Sequence, residues 1–167
     1  MEKTELVKKA GKVLFDIFRA REGKEEEAIG CITRNGEVII LTEHEDLSAL
    51  YGCKAFDVKC VRRIREDLIK KGCVMTFHLH PSKTASIHPS GQDIIFASLM
   101  QMPDMVVSNK GICIYEPIKK VEPEEVFKID ETCWLESERD YWAWKGCVRS
   151  KLPVKTEFLW WTELIKS

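Results

Sequence analysis

Apolar positions recur with two different periods along this chain, and the changes between them mark out its elements. Over residues 4–21, Val7, Ala10, Val13, Leu14, Ile17 and Phe18 return at helical spacing with lysines between them. That predicts an amphipathic helix, stopped by Gly23. Two apolar runs then flank Asn35-Gly36. Both residues tolerate positive φ, so the pattern predicts a hairpin with strands at about 27–34 and 37–43. Residues 44–54 are polar and contain Tyr51-Gly52, which reads as a loop. Val58, Val61, Ile64 and Leu68 mark one face of a second helix over about 56–71, ended by Lys70-Lys71-Gly72. A third strand is expected at Cys73–His80 and a third helix at about 91–102, with Pro103 beyond it. Asp104–Ser108 and Ile112–Tyr115, joined through Asn109-Lys110-Gly111, read as a second hairpin.

The pattern loosens after Pro117. Residues 118–130 are charged, and Val126-Phe127-Lys128-Ile129 reads as one more short strand. Residues 131–146 have a mixed helical pattern, and Thr156–Ile165 is apolar but ambiguous between strand and helix. All five tryptophans lie between 134 and 161. There is no repeat, low-complexity segment or dividing linker. The expectation is one domain over 1–167, with a core at about 1–117 and an aromatic-rich C-terminal extension at about 118–167. The order of elements predicts an α/β (α+β mixed) fold with a mixed central sheet flanked by helices.

Composition narrows the function classes. The 26 basic and 27 acidic residues nearly cancel, which gives no global charge reason to expect nucleic acid or an anionic membrane as partner. The short basic cluster Lys59, Arg62, Arg63 and Arg65 reads as the wet face of a helix. Met1–Arg21 carries Glu2, Glu5 and Asp16 without a continuous apolar stretch, so it does not read as a signal peptide. The seven cysteines are scattered and form no C-x-x-C pair. This argues against a zinc knuckle and a disulfide framework, and the expectation is free buried thiols in a reducing cytoplasm.

The chemistry concentrates in Thr76–Asp93, which holds three of the four histidines. Residues i and i+2 of a strand share a face, so His78 and His80 present two imidazoles side by side. Pro81 ends the ladder. Ser90-Gly91-Gln92-Asp93 has the form of a capping box opening a helix. Taken singly, these are a surface histidine pair and a helix cap. Together they point to a metal held by His78, His80 and Asp93. With no fourth protein ligand, water completes the tetrahedron, as in a catalytic zinc site. His88 reads as a loop residue rather than a ligand. A hydrolase also needs a base, and the candidates are Glu25, Glu26, Glu27, Glu43 and Glu45. Glu27 stands out because it begins a strand in which Gly30 permits a close backbone approach, but spacing does not choose among them.

His78-Leu79-His80-Pro81 followed by Pro89-Ser90-Gly91-Gln92-Asp93 resembles the H-x-H-P…P-S-x-x-D signature of the JAMM (MPN+, JAB) metalloproteases. Glu27-Ala28-Ile29-Gly30 resembles that family's upstream E-x-x-G. The resemblance covers about residues 4–116. It implies a three-layer MPN/JAB-like fold of cytidine-deaminase type. It also implies one Zn2+ per chain on His78, His80 and Asp93, with Glu27 as general base and then acid, and Ser90 orienting water or stabilising the oxyanion. The implied activity is isopeptide or peptide cleavage after the tail of ubiquitin or a ubiquitin-like protein. The loop 81–89 is longer than the family's usual one, and this raises the hypothesis that His88 lines the site. No long insertion separates Asp93 from Pro103, as in compact prokaryotic or archaeal members.

Two other readings stand beside this one: a peptidase trimming a sulfur-carrier protein or another small amide, and a non-catalytic scaffold of the same fold. Other HxH classes fit worse. The metallo-β-lactamase pattern needs an acid where Ser82 stands, and the zinc-deaminase pattern needs a Pro-Cys-x-x-Cys that is missing. For residues 118–167, packing back on the domain is favoured over a ubiquitin-like binding surface, with a homodimer contact as the third reading.

Overall fold

The computed structural model describes residues 2–24, 26–44, 46–53, 57–82 and 86–165. Among these, the chain runs α1 (Lys3–Glu22), β1 (Ile29–Thr33), β2 (Val38–Thr42), a 3-10 turn (Ser48–Tyr51), α2 (Val58–Lys70), β3 (Cys73–Leu79), α3 (Gly91–Met100), β4 (Asp104–Val107) and β5 (Gly111–Pro117). It continues through α4 (Pro123–Glu136), α5 (Tyr141–Lys151), β6 (Val154–Trp160) and a final turn α6 (Trp161–Leu164). The strands form one sheet in the order β2-β1-β3-β4-β5-β6. β3 and β4 are parallel and every other neighbouring pair is antiparallel. The class is mixed α/β, as the pattern predicts.

Alternation along the strands sorts two apolar layers. Ile32, Met75, Phe77, Leu79, Met105, Val107, Ile112 and Ile114 meet Val7, Ala10, Leu14 and Phe18 of α1 on one face. α2, α3, α4 and α5 cover the other face through Val61, Ile64, Ile94, Leu99, Val126 and Val148. The β1–β2 hairpin forms at Asn35-Gly36, but only Gly36 takes positive φ, at 84°. Thr33 N–H bonds Glu37 O at 2.9 Å and Gly36 N–H bonds Thr33 O at 2.9 Å, leaving a three-residue loop with glycine in the left-handed position.

Residues 118–130 correct the sequence reading. Val126–Ile129 is no strand but part of α4. Pro123 at the helix start, Glu124 and Glu125 in the first turn, and Val126, Ile129 and Cys133 on one buried face all favour helix. A four-residue window was too short to reveal that period. Glu138 and Arg139, both at positive φ, turn the chain between α4 and α5. Thr156–Ile165 resolves into both of its alternatives, the rest of β6 and then α6.

The thiol expectation is also corrected. Cys31–Cys73, Cys53–Cys60 and Cys133–Cys147 are disulfide-bonded, and Cys113 is the one free, buried cysteine. Tertiary pairing joins β1 to β3 and α4 to α5, which linear spacing does not show. The thiol argument for a reducing cytoplasm therefore falls, since disulfides persist in oxidising compartments and in intracellular proteins of hyperthermophiles. No helix among the described residues is long and apolar enough to cross a membrane.

Gly30 sits where β1 crosses the Phe77 ring, and a Cβ there would collide with that ring and with the Ile39 carbonyl. The carbonyl belongs to the sheet ladder and cannot rotate away. Gly30→Ala is expected to cost roughly 3 kcal/mol, the upper end of overpacking. Thermal unfolding should show Tm lowered by roughly 6–12 °C for a chain of this size.

Candidate metal centre

β3 delivers both histidines to one point. Its odd-numbered residues Met75, Phe77 and Leu79 lie in the α1 layer, so Thr76, His78 and His80 face the other side, towards α3. His80 stands just past the strand end, where its N–H still donates to Val107 O at 2.8 Å. Asp93 comes from the first turn of α3, held by a reciprocal capping box: Ser90 Oγ accepts from Asp93 N–H at 3.1 Å, and Asp93 Oδ2 accepts from Ser90 N–H at 2.8 Å. The cap that starts the helix thus also aims the carboxylate.

The donor atoms are close enough to share one ion, one from each residue and all within 4.8 Å of one another. Two ligands at about 2.0–2.1 Å from zinc stand about 3.3 Å apart on a tetrahedron. His78 Nε2 lies 3.2 Å from His80 Nε2 and 3.1 Å from Asp93 Oδ1, and His80 Nε2 lies 3.5 Å from Asp93 Oδ2. No other group of three His, Cys, Asp or Glu among the described residues converges in this way.

The outward ring nitrogens are fixed as well. His78 Nδ1 faces Asp104 Oδ2 at 3.0 Å, and His80 Nδ1 lies 2.7 Å from the Ser86 carbonyl. Such bonds orient the rings and leave both Nε2 atoms facing the site. Asp104 is 1% exposed, accepts from Thr76 Oγ1 at 2.8 Å, and also accepts from the Tyr115 hydroxyl. Burial disfavours the His78 imidazolium, but the Asp104 and Asp93 carboxylates outweigh it and hold the group up at about 10. Burial alone would raise the Asp93 carboxyl. His78, with further bonds from His80 and the Ser90 N–H, holds it well below the usual carboxylate range instead.

A cavity of about 640 Å³ opens beside this cluster, and Glu27 and Ser90 line it together with the three ligands. Of the other acids, Glu43 is exposed and pairs with Arg21 at 2.6 Å, while Glu26 is exposed. Glu25 and Glu45 lie outside the described residues. His88 corrects a hypothesis: it is exposed, its ring meets Phe158 of β6 at 5.2 Å, and it is not part of the cavity wall. The long loop contributes through Ser86 instead, anchored by Ile87, which packs with Ala97, Val106 and Tyr115.

The C-terminal part supplies residues that the sequence reading missed. Phe127 and Asp130 of α4 and Trp144 of α5 form one wall of the cavity. Trp144 is 5% exposed and covers Gly91 so closely that a Cβ there would collide with its ring. Trp144 and Trp161 are buried, whereas Trp142 is 73% exposed. Asp104 had one sequence signal, an acid heading the apolar run Met105-Val106-Val107. No family model and no curated protein matches the chain.

Asp104→Asn removes the charge behind His78, and zinc affinity by competition titration is expected to fall about 10–100-fold. Unchanged affinity would show that the neutral amide serves equally well. The ligand form of His78 has no proton on Nε2, while the ion-free form keeps that proton up to about pH 10. Zinc binding near neutral pH must therefore release a proton, and affinity should strengthen as pH rises towards 10. Calorimetry in buffers of different ionisation enthalpy measures the release directly.

Proposed function

We propose that this protein is a zinc-dependent peptidase or isopeptidase of the kind its JAMM resemblance implies. The substrate in this reading is an amide following the tail of ubiquitin or a ubiquitin-like modifier. One observation carries the proposal: Glu27, from far upstream, lines the same cavity as the converging His78, His80 and Asp93. A structural metal site has no use for a carboxylate at its open side, whereas a hydrolytic one needs a proton acceptor there.

Bound zinc would polarise the scissile carbonyl and bring the pKa of a coordinated water down to about 7. Glu27 takes a proton as water oxygen attacks the carbonyl carbon, then delivers it to the departing amine as the C–N bond breaks. Ser90 Oγ accepts the Asp93 N–H as helix cap. A hydroxyl both accepts and donates, so its own proton remains available for the oxyanion. Asp104 and the Ser86 carbonyl keep the two imidazoles in place throughout.

Glu27→Gln is expected to retain about one zinc per chain while turnover on ubiquitin-like conjugates falls about 10²–10⁴-fold. Metal analysis beside the cleavage assay separates the two effects. Normal turnover by this variant would remove Glu27 as the base.

A further inference from the structure

This inference rests on the hydrolase reading and concerns what the cavity accepts beside the scissile amide. Beside the three ligands, the cavity is lined by Ile95 and Leu99 of α3 and by Phe127, Asp130 and Trp144 of α4 and α5. Its charged lining, histidines aside, consists of Glu27, Asp46, Asp93 and Asp130, with no lysine or arginine among the described residues.

These four acids are not equivalent. Asp93 is committed to the histidines and its cap, and Asp46 Oδ1 accepts from Ser48 N–H at 2.8 Å. Glu27 belongs to the proposed proton transfer. Asp130 is partly buried, and its Oδ1 accepts from Trp144 Nε1 at 2.9 Å. That bond is to a neutral donor and leaves the charge uncompensated. No lysine or arginine among the described residues comes within ion-pair distance of Asp130, and a carboxylate has acceptor capacity beyond one bond.

The position is also rigid. Trp144 is wedged against Gly91, with the Trp134 ring at 6.2 Å and the Tyr141 ring at 5.6 Å. Phe127 lies one helical turn before Asp130, on the same face of α4. A fixed, uncompensated carboxylate beside aromatic rings attracts an alkylammonium or guanidinium group both by charge and through the ring faces.

We propose that the α4–α5 wall of the cavity binds a lysine or arginine side chain of the substrate, with Asp130 as the specificity-determining residue. The aliphatic stem of that side chain packs along Phe127, and its charged head meets the free oxygen of Asp130.

The test uses four acetylated peptide amides, Lys-Gly-Gly and its arginine, norleucine and glutamate counterparts. Binding is measured by calorimetry on the metal-free full chain at two salt concentrations, and hydrolysis of the same peptides on the zinc-loaded chain. The lysine and arginine peptides should bind at least tenfold tighter than norleucine, with the margin narrowing at high salt. Asp130→Asn keeps an oxygen for the Trp144 N–H and should abolish that margin without changing affinity for the norleucine peptide. Asp130→Glu should retain part of it. Equal or tighter binding of norleucine, a margin that survives Asp130→Asn, or no binding of any peptide overturns the proposal. Preferential binding of the cationic peptides without hydrolysis of any of the four upholds the pocket and counts against the hydrolase reading alone.

Discussion

The site depends on the parallel pairing of β3 with β4. It is the one parallel pair in an otherwise antiparallel sheet, with His78 opposite Val106 and Leu79 opposite Val107. Parallel neighbours require a crossover, and α3 provides it. The crossover brings the α3 N-terminus, and Asp93 with it, over the end of β3 where the histidines stand. The same register sets Asp104, two residues before Val106, on the face shared by Thr76 and His78. One strand pairing therefore places a carboxylate on each side of a single imidazole. A slip of one residue would bring Met105 to that face and leave His78 Nδ1 against a thioether.

Burying Asp104 is costly unless each oxygen has a partner. Thr76 meets Oδ1, while His78 and Tyr115 meet Oδ2, so the carboxylate is satisfied within three neighbouring strands. Tyr115 is the cross-strand partner of Asp104 in the β4–β5 ladder, so its hydroxyl needs no loop to reach it. The negative field that results also acts on Cys113. Burial, reinforced by Asp104 and then Asp93, pushes that thiol up to about 12. The one free cysteine thus stays protonated and unreactive beneath the site.

Sequence periodicity was informative where an element carries its own signal. α1, α2 and the strands from β1 to β5 have long apolar stripes or clear turns, and the pair His78/His80 followed by Ser90/Asp93 makes local sense of three ligands. It was uninformative where meaning comes from a distant neighbour. Cys31 and Cys73 are 42 residues apart and meet because β1 lies beside β3. Asp104 looks like an ordinary strand start until the parallel register puts it behind His78. Val126–Ile129 resembles a strand because its helical period is completed only at Cys133, beyond that window. Loop length alone raised a role for His88, yet it is the Ser86 carbonyl that supports the site.

The segment between β5 and β6 shows how the rest of the chain serves the centre. These strands pair antiparallel, and such a pair can be closed by a two-residue turn. The chain instead places residues 118–153 there, with α4 and α5 on the α3 side of the sheet. The added helices hold the start of α3 through Trp144 on Gly91, and the Cys133–Cys147 bond holds the helices to each other. A second disulfide, Cys31–Cys73, joins the strand that follows Glu27 to the strand that carries the histidines. One covalent link thus joins the strand after Glu27 to the strand of His78, another joins the two helices of the facing wall, and packing of Trp144 on Gly91 seats that wall on the capped helix, while Cys53–Cys60 lies at the start of α2. Under the proposed function, a substrate would meet surfaces set before it arrives, and little of its binding energy would go into ordering the site.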